Sequence, residues 1–76
     1  MDDNSIQQKL GQVVKSFRLQ IGLSQEDVAF RAGLHRTYIS DVERGSRNIS
    51  LKAIYSICSA LEINPSELFR KIEENE

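Results

Sequence analysis

The segment from Leu23 to Gly45, LSQEDVAFRAGLHRTYISDVERG, limits the fold of this chain more than any other. Glycine adopts the left-handed conformation that ends a helix without steric penalty, so Gly33 and Gly45 read as two helix stops. Ser24 is a good N-cap, and Asp27 stands three residues later, where a capping box carries Glu or Gln. The expectation is a helix from about Gln25 to Ala32, a tight turn, and a second helix from about Arg36 to Arg44. Leu34 plugs the corner between them. Val28, Ala29, Leu34, Ile39 and Val42 fall into one apolar seam, and the small Ala29 lets the helices approach closely. The face left over on the second helix carries Arg36, Thr37, Ser40 and Arg44. This is the layout of a helix-turn-helix, whose second helix enters the DNA major groove.

The rest of the chain is read as three further helices, which makes the protein all-α with five helices in a single domain, residues 1–76. Met1–Asn4 is polar and expected to fray. Ser5 is a candidate cap for a first helix reaching about Gln20, where Ile6, Leu10, Val13, Val14 and Phe17 keep the spacing of an amphipathic helix. Gly22 ends it. Ser50 caps a fourth helix with Leu51, Ile54, Ile57, Cys58 and Leu61 as its apolar stripe. Asn64-Pro65-Ser66-Glu67 is a helix start with an Asn cap, Pro at the first helical position and Glu at the third. The fifth helix carries Leu68, Phe69 and Ile72. No internal repeat, linker or low-complexity segment interrupts this order.

At 76 residues the core is small, and domains of this size often gain stability by oligomerising. The fifth helix has too little chain around it to bury all its apolar residues. Ile63, Leu68, Phe69 and Ile72, with part of the fourth helix, are therefore the expected two-fold interface, within a dimerisation region of about 51–72. The single cysteine, Cys58, excludes an intramolecular disulfide and a cysteine metal cluster, and reads as a buried small hydrophobe. The N-terminus lacks the basic and apolar parts of a signal peptide, and no apolar run is long enough to span a membrane. The expected location is the cytoplasm. With one His, one Cys and no phosphate-binding glycine loop, no catalytic constellation can be assembled, so an enzyme is not expected, nor is a cofactor or a metal.

The net charge of −1 argues against unspecific binding to nucleic acid, but its distribution is uneven. Residues 1–48 hold seven Lys or Arg against six Asp or Glu, and residues 49–76 three against five. Arg36, Arg44 and Arg47 gather around the second helix of the 23–45 core, while the acidic tail EENE is expected to lie away from DNA. Arg36 and Thr37 stand at the N-terminal tip of that helix. Arginine can donate two parallel hydrogen bonds to guanine, and threonine can bond a base or set its methyl against thymine. Ser40 lies one turn later. His35 precedes them and reads as a neutral cap or a phosphate contact; no second metal ligand is near it in sequence. For Tyr38 two placements stay open, a ring packed under the helix or a hydroxyl reaching phosphate. Arg47 and Asn48, in the loop after the helix, can bond phosphates. Gln25 opens the first helix of the pair, where free N–H groups and the helix dipole suit a phosphate.

The residues GLSQEDVA (22–29), AGL (32–34), YIS (38–40) and ERG (43–45) resemble the helix-turn-helix domains of phage repressors and of xenobiotic-response-element regulators in bacteria. The resemblance runs from about Leu10 to Phe69 and implies a lambda-repressor-like fold. The stretch RTYISDVERGSRNISL (36–51) looks most like the small controller proteins of restriction–modification systems. Carried over by position, the resemblance implies that Arg18 pairs with Glu43 of the ERG motif, tying the first helix to the recognition helix. It also implies that Gln25 contacts the DNA backbone and that the Ser46-Arg47-Asn48 loop lies along it.

The function expected is a sequence-specific transcriptional regulator, a homodimer on double-stranded DNA reading an inverted repeat. The controller resemblance implies activation of its own operon and of an endonuclease gene at one occupancy and repression at a higher one, with RNA polymerase as a partner if it activates. A second domain that would sense a small molecule is not expected. The competing readings are a prophage repressor, an antitoxin-type autorepressor and, from another class, a protein-interaction adaptor; Arg36, Thr37 and Arg47 on one exposed face weigh against the last.

Overall fold

The computed structural model describes residues 3–74, with the side chains described from Ser5 onward. Five helices follow one another: α1 (Asp3–Gln20), α2 (Gln25–Ala32), α3 (Arg36–Arg44), α4 (Leu51–Ala60) and α5 (Pro65–Glu74). No strand occurs among the described residues. Met1 and Asp2, part of the segment expected to fray, and Asn75 and Glu76, the end of the acidic tail, lie outside them.

The boundaries follow from local chemistry. At the start of α2, Ser24 Oγ accepts from the Asp27 backbone N–H at 3.0 Å and Asp27 Oδ2 accepts from the Ser24 N–H at 2.9 Å, a complete capping box. Gly33 and Gly45 end α2 and α3 at φ 71° and 75°. Ser50 caps α4 through a bond from the Ala53 N–H. At α5 the Glu67 carboxylate accepts from the Asn64 N–H, while the Glu67 N–H bonds the Asn64 carbonyl.

Three local expectations are corrected. Ser5 does not cap α1, because Asp3 and Asn4 already have helical backbone; a serine caps only where the chain before it leaves the helix. Ile6 and Leu51 are exposed rather than part of their stripes. On α4 the buried line runs through Ala53, Ile57, Cys58, Ala60 and Leu61, which leaves Leu51 on the outer flank beside Tyr55, one turn on.

The core joins Leu10, Val13 and Val14 of α1 to Val28 and Ala29 of α2, Ile39 and Val42 of α3, the α4 stripe and Leu68 of α5. Leu34 and Phe17 pack partly buried against it. Cys58 is fully buried and burial raises its thiol pKa, which keeps it an inert core atom. α1 packs on α3, and α4 on α2, so the helix-turn-helix is gripped from two sides. The α1–α3 contact is very close. A Cβ on Gly11 would lie 2.6 Å from the Glu43 carbonyl oxygen and closer still to that of Val42.

Leu68 also requires a correction. Its side chain is 1% exposed, inside the protomer's own core, and is not available to a partner. It lies on the inner side of α5, whereas the next residue, Phe69, is turned outward and is 44% exposed. Ile63 and Ile72 pack at the edge of the core, half-buried.

Candidate nucleic-acid interface

α3 is held from beneath by one polar cluster. Arg18, in the last turn of α1, donates from Nε to Glu43 Oε2 at 2.7 Å and from Nη2 to Glu43 Oε1 at 3.0 Å. Its Nη1 donates to the Leu23 carbonyl at 2.9 Å. The two side chains are 9% and 4% exposed, so the pair is nearly dry. Glu43 holds the guanidinium in its charged form, its hydrogen bonds outweighing desolvation. Gln25 Nε2 adds a third bond to Glu43, at 3.1 Å. Glu43 thus ties the end of α1, the start of α2 and the body of α3 together. The Gln25 side chain, expected at a DNA phosphate, is engaged inside the protein in this structure; its backbone remains at the helix start.

On the opposite side of α3, Arg36 and Thr37 stand exposed at the tip, and their side chains make no hydrogen bond or ion pair with any described residue. His35 occupies the N-cap position, and its carbonyl accepts from the N–H groups of Tyr38 and Ile39. Its imidazole makes no capping bond, which corrects the side-chain cap reading and leaves the ring exposed to solvent. Ser40 and Arg44 follow along the same face, joined by a bond of 2.7 Å from Arg44 Nη1 to Ser40 Oγ. Tyr38 is half-buried against the core, and the guanidinium of Arg47 lies over its ring, 4.6 Å from the centre. Asn48 is exposed in the loop. The expected DNA-contacting residues outside α2 therefore gather on one surface formed by α3 and the loop behind it.

One residue of this surface was missed from sequence. Asp41 lies on the outer face of α3, one turn after Thr37. Its carboxylate accepts from Arg44 Nη2 and from Arg47 Nη2, the latter at 2.9 Å. The bond from Arg47 and the charges of both arginines hold the Asp41 carboxyl below the usual carboxylate range. The spacing 41/44 signalled an i, i+3 pair, but the loop had to fold back before Arg47 could join it. Among the described residues, no group of three or more His, Cys, Asp or Glu is placed to hold a metal, and no helix is long and apolar enough to cross a membrane.

Comparison with known proteins agrees with this geometry. A helix-turn-helix family model matches residues 14–68. The chain is similar to the control protein C.BamHI of Bacillus amyloliquefaciens, at 50% identity over 86% of this chain and 82% of that protein. Among solved structures it is similar to the restriction–modification controller protein C.AhdI from Aeromonas hydrophila, with a TM-score of 0.81 and 49% identity over 83% of this chain and 96% of that one. A third likeness is to the controller C.Esp1396I, solved as a tetramer on its natural 35 base-pair operator, with a TM-score of 0.85 and 38% identity over 91% of each chain. With these matches and this arrangement of α1 to α3, the chain belongs to the helix-turn-helix family of transcription regulators, in the group of restriction–modification controller proteins.

Proposed function

We propose that this protein controls a restriction–modification operon by binding an inverted-repeat operator as a homodimer. The observation that carries the reading is the outer surface of α3. Arg36 and Thr37 are free at its tip, Ser40 and Arg44 lie behind them, and Arg47, Asn48 and His35 flank them. In this reading Arg36, Thr37 and Ser40 face base edges, while Arg44, Arg47, Asn48, His35 and the α2 start at Gln25 meet the sugar–phosphate backbone. Tyr38 shapes the surface by supporting Arg47. Solved variants of C.Esp1396I replace an arginine, a threonine and a tyrosine at three consecutive positions, the order of residue types that stands here as Arg36-Thr37-Tyr38.

The two-fold contact is assigned to Phe69 of α5 with Leu51 and Tyr55 of α4, all exposed, bordered by Ile63 and Ile72. The occupant of that surface is a second copy of this chain, as the tetrameric assembly of C.Esp1396I on its operator supports. The protomer measures 32 × 21 × 20 Å, so two side by side can place their α3 helices about one helical turn of DNA, ~34 Å, apart. The protein acts in the cytoplasm by binding alone, with no chemical step. Activation at low occupancy makes RNA polymerase its second partner, and filling of a further site at higher occupancy represses.

Selection of bound duplexes from a random pool, followed by sequencing, tests the reading. Two inverted half-sites with centres about ten base pairs, or a multiple of that, apart are expected. Recovery of no common sequence would overturn it.

A further inference from the structure

Resting on the DNA-binding reading, one more residue of α3 acquires a role. A surface that is to meet a polyanion carries a carboxylate at its middle. Asp41 is not turned away from the arginines of that surface but engages two of the three. Arg44 donates to one carboxylate oxygen and Arg47 to the other, at 2.9 Å. Arg44 is steadied further by Ser40, and Arg47 by the ring of Tyr38. The backbone carbonyl of Asp41 accepts from Ser46 N and Oγ, at 3.0 and 3.2 Å, which fixes the start of the Arg47 loop against α3. Arg36, the third arginine, has no such partner.

A carboxylate offers a guanidinium the same paired acceptor oxygens as a phosphate. In the free protein Asp41 therefore gives Arg44 and Arg47 the kind of partner that phosphates would give them in a complex with DNA. Unspecific binding to duplex DNA comes almost entirely from Lys and Arg neutralising phosphates. Engaging Arg44 and Arg47 beforehand subtracts from that contribution, because each phosphate contact must displace an existing one. The free Arg36, at the tip that reaches bases, is left untouched.

We propose that Asp41 sets the affinity of this surface: it occupies Arg44 and Arg47 in the free protein, so that any duplex must displace it before taking them, and binding is held weaker than the arginines alone would make it. With its carboxyl held below the usual carboxylate range, Asp41 stays charged at neutral pH, and the arginines are released by DNA rather than by protonation. On the operator, where α3 is seated by base contacts, neighbouring phosphates lie in register to take both arginines over.

Asp41→Asn keeps the shape and removes the charge. Its binding to the duplex recovered from the random pool, and to a scrambled duplex of equal length, is measured across a salt series. Affinity for the recovered duplex should rise about tenfold and for the scrambled duplex by that factor or less, because the operator complex bears the whole cost of releasing both arginines. The melting temperature should stay close to that of the parent, since the side chain's partners are two exposed arginines and the Asp41 carbonyl that holds the loop is untouched. The same substitution in an Arg44→Ala, Arg47→Ala background should raise either affinity less than about twofold, because nothing is left to release. A gain that persists without the two arginines would reduce Asp41 to a bare repelling charge, and a gain on the scrambled duplex alone would show that the operator complex never releases the arginines; either result overturns the proposal. Loss of affinity for the recovered duplex alone would overturn it in favour of a base contact by Asp41. If the unsubstituted protein binds no duplex at all, the DNA-binding reading has failed first, and this inference with it.

Discussion

Replacing Glu43 by alanine should unfold the protein well below the temperature at which an ordinary surface substitution does. The carboxylate accepts three hydrogen bonds, from Arg18 Nε at 2.7 Å, Arg18 Nη2 at 3.0 Å and Gln25 Nε2 at 3.1 Å. In its absence Arg18, 8% exposed overall, keeps one bond, to the Leu23 carbonyl. Taking one partner out of a buried pair costs ~3–5 kcal/mol, because the charge left behind is neither paired nor hydrated. Because Arg18 keeps its bond to the Leu23 carbonyl, the lower end, ~3 kcal/mol, is the working figure. Total stability at this length is about 4–11 kcal/mol, so the loss is a large share of it. Domains of this size lose ~4–8 °C per kcal/mol, which gives a fall of ~12–24 °C. The assay is thermal melting followed by far-ultraviolet circular dichroism, at one protomer concentration because dimerisation stabilises. The comparison is Glu73→Ala, an exposed residue of α5, expected within about ±0.5 kcal/mol of the parent. The paired change Arg18→Met with Glu43→Leu should recover most of the loss, since an apolar pair leaves no charge stranded. If Glu43→Ala melts within ~4 °C of Glu73→Ala, the pair is not what locks α3 in place.

Three further outcomes are expected. Gly11→Ala should destabilise by about 1–3 kcal/mol through overpacking against the α3 carbonyls, although alanine is the better helix former by ~1 kcal/mol; a rise in melting temperature would show that α1 can move away. Phe69→Glu should convert the dimer to folded monomers in sedimentation at micromolar concentration, whereas Leu68→Ala should lower stability by ~2–5 kcal/mol through a core cavity; an unchanged dimer with Phe69→Glu would place the interface elsewhere. Arg36→Ala should flatten base preference at one position per half-site by ~1–3 kcal/mol. Arg47→Ala should instead reduce the slope of log K against log salt by roughly two per dimer; the reverse pattern would exchange the two assignments.

Five helices, and the caps of α2 and α4, could be read from the chain because their signals are local. A serine oxygen reaches the N–H three residues on, and a glycine ends a helix, wherever the segment sits. The exposed face of α3 was legible for the same reason, since helical periodicity alone sorts Arg36, Thr37, Ser40 and Arg44 from Ile39 and Val42. The Arg18–Glu43 pair came through resemblance, not local rules, because the partners are 25 residues apart. The burial of Leu68 and the exposure of Phe69 and Leu51 were decided only when α4 and α5 packed on the rest. An apolar residue in a short helix is compatible with a core or an interface, and the position of neighbouring helices selects between them. Gly11 was silent in sequence: a mid-helix glycine reads as a weak point until α3 arrives against it. Asp41 was silent in the same way. An aspartate on an exposed helical face is an ordinary residue, and it becomes the partner of two arginines only when the loop after α3 brings Arg47 back beside Arg44. Contacts between groups far apart in the chain depend on where whole helices come to rest, and that is set by burial of the shared core rather than by any short stretch of residues.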